Sequence, residues 1–445
     1  MNDQTNHPGE TPGASDEVGK PSIGFWKCWS LTVGLMIGSG VFMLPAVLAP
    51  YGSISFLGWL LTSTGAVLFA LILGRLASRT DRTGGPYAYA HDAFGDLVGF
   101  LVAWGYWLGL VFGSTAIAVA FAGYLGSVIP VLGANNVVQA CVAAATIWAL
   151  AAVNIKGVGE AASLQLVTTI LKLVPLAVVI VLGLFIGAPE NIPPFNPKEL
   201  PVGDAIAATA LLTMWAFLGI EGGVIPAGDI RDPKRTIPRA VVIGAVTVTI
   251  VYIAVTAAVM MLVPVDVLAN SSAPFVDAVA ALGPVGGYLI AFGALVATAG
   301  ALNANILLSG QMPMAAALDG VAPKIFADRN KGHAPQLALI MSAVLSTLLL
   351  LLNYADGLIA AFTFLISIST LGTVSAYTLS ACADLKFSWK RARVWVAIAM
   401  IAIAYSVVAM LGSGIKILLW GAVLMALGLP IFFWTKHRQA KTIIA

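Results

Sequence analysis

The chain has 445 residues, of which 59% are hydrophobic and only 10% charged, with a mean hydropathy of +0.95. Soluble domains carry about 25% charged residues, so this composition excludes an ordinary soluble fold and points to a polytopic membrane protein. The net charge of +3 describes membrane orientation rather than a nucleic-acid face, and three scattered cysteines fit neither a disulfide framework nor a thiol metal site.

Residues 1–21, which open rich in Asn, Thr, Pro, Gly, Ser and Glu, read as a disordered tail without the apolar core of a cleavable signal peptide. Apolar stretches long enough to span a bilayer follow near 24–50, 54–78, 97–127, 136–155, 162–187 and 205–228. Six more lie near 239–263, 284–311, 335–353, 357–382, 393–412 and 415–435. An all-α membrane protein of twelve transmembrane helices is expected. It forms a single domain over 22–436, since no polar linker separates the spans, and a short tail, 437–445, follows. If the N-terminus is cytoplasmic, 20 of the 23 Lys and Arg residues fall on the cytoplasmic side, from Lys20 and Lys27 through Arg231, Lys234, Arg235 and Arg239 to Lys436, Arg438 and Lys441. Only Lys198 and Lys416 fall outside, and Lys172 lies within a span. The positive-inside rule therefore places both termini in the cytoplasm of a bacterial inner-membrane protein.

Two spans are interrupted. Ile37-Gly38-Ser39-Gly40-Val41 breaks the first and Trp215-Ala216-Phe217-Leu218-Gly219-Ile220-Glu221-Gly222-Gly223 breaks the sixth, five spans later. Glycine is a poor helix former, and non-helical backbone at membrane depth is tolerated only where protein covers it or where it lines a cavity. Breaks at corresponding places in two halves indicate an inverted repeat around a midplane site, here about 22–187 and 205–382, with 393–435 appended. Freed N–H groups of Gly38, Ser39 and Gly40, the Ser39 hydroxyl and the start of a half-helix near Val41 suit a carboxylate. Gly105, Gly109 and Gly113, spaced by four, suit helix packing instead. Glu221 lies near the middle of its span, where a carboxylate is expensive and therefore functional by default, or else braces the unwound segment. Lys172 is as rare at its depth, and pairs with carbonyls or an acid unless it snorkels to the interface. There is no Walker loop, no HExxH and no Gly-x-Ser-x-Gly turn, so an enzyme is not expected; neither are a cofactor, a metal or a nucleic-acid partner. A channel would need a filter motif that is absent. A secondary active transporter working by alternating access is the reading that remains.

The runs GLMIGSGVFMLPAVLAPYG (34–52) and WAFLGIEGGVIPAGDIRDPKRTIPRA (215–240) resemble the first and sixth helices of the amino acid–polyamine–organocation superfamily, in its basic amino acid/polyamine antiporter branch. GGPYAYAHDAFG (84–95) and LLSGQMPMAAALDGVAPKIFA (307–327) extend the match collinearly over roughly 22–436. The resemblance implies the five-plus-five inverted repeat, amino-acid or amine exchange, and often a homodimer. It implies that Gly38, Ser39 and Gly40 hold the substrate's carboxylate, with Ile37 and, at the second break, Gly219 also binding substrate. It gives Tyr106 and Trp215 aromatic gating surfaces that also suit a cation. It implies a gating or proton-sensing role for Glu221, and places the Lys172 ammonium where sodium sits in sodium-dependent relatives. Phe217 reads as core. The match departs where arginine-reading members recognise a guanidinium: Leu35, Leu110, Ser114 and Asn305 stand at those positions. Asn303, Asn305 and Ser114 would make a modestly polar side-chain pocket. Sodium-independent exchange of amino acids, or of an amino acid for its amine, is expected, with arginine/agmatine-type exchange or proton-coupled transport of neutral amino acids as alternatives.

Overall fold

A computed structural model describes residues 21–444 apart from 81, 272–273, 356–357, 391 and 413; at some further positions, Ser39 and Trp215 among them, only the backbone is described. The expected tail lies outside the described residues except for Pro21. Among these residues the fold is all-helical, with one isolated parallel bridge between Ile23 and Ile230.

Helix α1 (Phe25–Met36) stops at Ile37, and a 3-10 turn over Ser39–Phe42 and the short α2 (Leu44–Leu48) continue its path. The α-helical half after the first break thus starts at Leu44, not near Val41, because Pro45 serves as a first-turn residue there and the preceding residues wind more tightly. Next come α3 (Ser55–Ala77) and α4 (Pro86–Phe94). Gly95, at φ +83°, turns the chain into the long α5 (Asp96–Val128). Asn135 caps α6 (Asn136–Lys156) by accepting from the Val138 N–H at 2.9 Å, and Gly157 separates it from α7 (Val158–Ile186). Helix α8 (Val202–Met214) gives way to 3-10 turns at Trp215–Phe217 and Ile220–Gly223, so the second half of the sixth apolar stretch is not α-helical. The rest are α9 (Pro233–Leu262), the short α10 (Val265–Leu268) and α11 (Pro274–Ala278), α12 (Pro284–Leu318), α13 (Gln336–Ala355), α14 (Leu358–Ser388), α15 (Arg393–Gly412) and α16 (Ile415–Ile444).

Nine of the helices among the described residues are long and apolar enough to cross a membrane; Val202–Met214 and Gln336–Leu352 are shorter apolar helices. At 1.5 Å per residue α1 alone covers roughly 18 Å of an apolar core about 30 Å thick. The protein is an integral membrane protein.

Helix α1 lies at the centre, against α7, α9 and α12, while α5 packs between α12 and α14. The glycines of α5 allow close packing against α16 and α14. A Cβ on Gly105 would stand 2.1 Å from Met425 Cε, and one on Gly109 would meet the Ser369 carbonyl at 3.1 Å. Of the cysteines Cys28 is buried, Cys141 exposed and Cys382 half-buried.

Away from the central cavity, Arg75 Nη1 donates to both oxygens of Asp384 (2.8 and 2.9 Å) and to Ser388 Oγ, and its guanidinium lies over the Trp395 ring. The Asp384 side chain is fully buried and that of Arg75 is 19% exposed. Removing one partner of a buried pair leaves the other's charge uncompensated, at roughly 3–5 kcal/mol. Asp384→Ala is expected at the lower end, because Arg75 keeps its Trp395 contact and some solvent. Thermal unfolding in detergent should show this loss, and should show most of it recovered in Arg75→Met/Asp384→Leu. A double variant as unstable as the single one would place the loss elsewhere.

Candidate functional site

Between the two breaks lies a cavity of about 110 Å³, room for a small organic solute or several waters. Its wall includes Leu35, Gly38 and Gly40 from the first break, Glu221 and Gly219 from the second, Leu110 and Gly113 from α5, and Asn305 from α12. The lining follows α5 from Leu110 to Ile117, about 10 Å along the helix and away from its Asp96 end.

The breaks lock into each other. Gly219 sits at φ +111°, in the left-handed region, and a Cβ there would also stand 3.1 Å from the Leu35 carbonyl carbon. A Cβ on Gly222 would meet the Leu31 carbonyl oxygen at 2.6 Å. Only glycine brings the second break this close to α1. Tyr252, from α9, then donates to the carbonyls of Met36 (2.7 Å) and Ala216 (3.2 Å), one on each break. Its ring packs on Trp59 and Phe217, and Phe217 is core as expected.

Glu221 is buried, and both its oxygens accept from phenols. Tyr106 donates to Oε1 at 2.5 Å and Tyr377 donates to Oε2. The Tyr377 oxygen in turn accepts from the N–H groups of Gly219 (3.0 Å) and Ile220 (3.2 Å). Tyr106 thus contacts the carboxylate and is not among the cavity-lining residues. Lys172 is fully buried; Nζ donates to the carbonyls of Gly34 (2.8 Å) and Ile37 (2.7 Å), and to Ala297 on α12 at 3.4 Å. A snorkelling lysine would reach for solvent, and this one does not.

Two expectations for the side-chain pocket change. Ser114 lies outside the lining, where Gly113 takes the wall, because adjacent helical residues point about 100° apart. The buried Ser114 Oγ has no hydrogen-bond partner among the described residues. Asn303 is spent elsewhere: it donates to the Ala161 carbonyl and to Gln165 Oε1 and accepts from Asn154, all at 3.0 Å. The Ile37 side chain is buried off the cavity wall and its carbonyl is held by Lys172. The Ser39 and Trp215 side chains lie outside what is described. Tyr252 and Tyr377 were missed in the sequence because a tyrosine within an apolar span reads as packing.

One end of the bundle is knitted shut. Arg82 pairs with Asp92 and Asp319, and Tyr87 donates to Asp319 at 2.7 Å. Arg329 pairs with Asp229 at 3.1 Å, and the Ile23 N–H donates to the Asp229 carbonyl at 3.0 Å. Burial raises the Asp229 carboxyl above the usual range against the opposing pull of Arg329, and burial followed by the Asp319 bond raises the Tyr87 phenol.

A family model described as amino acid permease matches residues 23–436. The cadaverine/lysine antiporter of Escherichia coli strain K12 is 33% identical over 374 residues, covering 82% of this chain and 83% of that protein. The arginine/ornithine antiporter of Pseudomonas aeruginosa is 32% identical over 441 residues, 93% and 91% of the two chains. The arginine/agmatine antiporter of Chlamydia felis is 29% identical over 462 aligned positions, 96% and 93%.

Tyr377→Phe strips the Gly219 and Ile220 N–H groups and one Glu221 oxygen of their shared partner, and Glu221→Gln leaves an amide that cannot accept from both phenols. Both variants are expected to keep substrate binding by calorimetry yet slow exchange at least tenfold, about 1.4 kcal/mol. Glu221→Gln should also flatten the pH dependence of exchange. Loss of binding in both would make the cluster part of the ligand shell; wild-type exchange in both would leave it structural.

Proposed function

The chain belongs to the amino acid permease family, and on that premise we propose that it is a sodium-independent secondary active antiporter that exchanges amino acids, or an amino acid for its amine. In this reading twelve spans form a five-plus-five inverted repeat over about 22–187 and 205–382, with 393–435 appended. Both termini are cytoplasmic, in a bacterial inner membrane, and the homodimer implied by the resemblance stays part of the proposal. The observation that carries it is the small cavity between two glycine breaks, each bonded to the other's surroundings through Tyr252.

Substrate carboxylate would sit against the first break, where the N–H groups opening the Ser39–Phe42 turn have no partner inside that turn. Glu221 lies across the cavity with its charge already committed to two phenols, which suits a gate rather than a ligand. Protonation or rearrangement there would shift the turn at Gly219 and Ile220 through Tyr377. Closure of the Asp229–Arg329 and Arg82–Asp319 end leaves the cavity wall running the other way, a conformation of an alternating-access cycle closed on its cytoplasmic side.

In this reading Lys172 is the reason for sodium independence: its amine already donates to the carbonyls that a sodium ion would coordinate. Counterflow in proteoliposomes tests exchange itself, since only an exchanger accumulates label against unlabelled internal substrate. Uptake should be unchanged when choline replaces sodium, and Lys172→Ala should reach the membrane yet fail to transport. A tenfold fall without sodium, or normal transport by Lys172→Ala, would remove this role.

The wall at Leu35, Leu110 and Asn305 favours a neutral or modestly polar side chain over a guanidinium, even though the relatives are named for basic substrates. A competition panel should show alanine, serine, leucine and methionine competing at least as well as arginine, agmatine, ornithine and putrescine. Inhibition by arginine and agmatine alone would instead assign arginine/agmatine-type exchange.

A further inference from the structure

We propose that the groove between α5, α12, α13 and α16 is a site for one anionic phospholipid, an acyl chain in the groove and the headgroup on a basic rim. The cavity there measures about 790 Å³, some seven times the central one, and plays no part in the exchange just described. Phe100, Trp104, Trp107, Phe326, Leu345 and Trp434 form much of its wall. The two inner indoles present no polar group to it. Trp104 Nε1 donates to the Leu424 carbonyl at 2.8 Å and Trp107 Nε1 to Ser342 Oγ at 2.9 Å, so the wall is apolar.

Depth fits a lipid tail. Leu108 lies twelve residues beyond Asp96, the first residue of α5, and Leu345 nine beyond Gln336, the first of α13. At 1.5 Å per residue the groove therefore reaches about 14–18 Å from the helix ends, the thickness of one leaflet's acyl layer. Its mouth opens at the basic end of the bundle. Lys324 is exposed between Pro323 and Phe326, both of which line the groove. Arg438 stacks on the Trp434 ring at 4.3 Å; of the acids near this rim, Asp96 is held by Lys436 at 2.6 Å with His91 on its other oxygen, and Asp328 is exposed two residues beyond Phe326. Cations around an apolar slot between membrane helices complement a phosphate headgroup above a chain.

The site also touches the closed end. Its wall segment from Ala322 to Phe326 runs between Asp319, held by Arg82 and Tyr87, and Arg329, which holds Asp229. A lipid seated here braces the segment that carries both contacts.

The test is native mass spectrometry of the full chain released from nanodiscs of phosphatidylcholine with a minor fraction of phosphatidylglycerol. Wild-type protein should retain one phosphatidylglycerol per chain. Lys324→Gln/Arg438→Gln, two surface changes, should cut the preference for phosphatidylglycerol over phosphatidylcholine at least tenfold, at about one decade or less per charge. Leu345→Trp, which fills the groove, should abolish retention of either lipid, with thermal unfolding confirming that the variant is folded. Equal retention of the two lipids by wild type, or no change in the charge variant, would overturn the proposal. A change of oligomeric state in Leu345→Trp without lipid loss would assign the groove to a second copy instead.

Discussion

A helix broken inside a bilayer leaves backbone groups that no lipid can bond, and the centre of this protein is arranged around that constraint. Around the first break, Lys172 takes the Gly34 and Ile37 carbonyls and Tyr252 takes that of Met36. Around the second, Tyr252 takes the Ala216 carbonyl, Tyr377 the Gly219 and Ile220 N–H groups, and the Cys28 thiol the Gly223 carbonyl at 3.3 Å. The partners on α7, α9 and α14 reach α1 or the second break from other helices, so the freed groups are satisfied only in the assembled bundle.

The same accounting separates gate from pocket. A buried carboxylate between two phenols is stable only while both donors stay in place, which ties Glu221 to α5 and α14 at once. Any movement of the second break must therefore be shared by those two helices. Helix α5 also carries Gly113 on the cavity wall and Trp107 on the outer groove, and it packs on α12, which carries Asn305. The central cavity and the outer groove thus lie at different depths along one helix pair, against residues 110–117 and 100–108 of α5 respectively.

Lysine at this depth has a distinct physical standing from a bound ion. Its amine is tethered to α7, so the carbonyls it holds keep a donor whether or not substrate is present. Coupling of transport to sodium would need a bound ion that arrives and leaves with substrate, and exchange does not. This is the link between one buried residue and the exchange chemistry proposed here.

Composition and periodicity were enough to give the membrane class and the helical fold, because a long apolar run has few alternatives in a bilayer. The two glycine interruptions, Glu221 and Lys172 were legible for a related reason: each is costly in a membrane span, and cost is visible in a single chain. Residues whose role depends on direction were not legible. Asn303 and Asn305 differ by two positions on one helix, yet one is consumed by α6 and α7 and the other lines the cavity. Ser114 lost the wall to Gly113 by one residue's rotation, and Tyr252 and Tyr377 gained their place only because the assembled helices aim their hydroxyls at the breaks. Sequence alone determined what must be satisfied inside the membrane; which side chains satisfy it was decided by packing, since hydrogen bonds act over about 3 Å and helix rotation is set by neighbours far away in the chain.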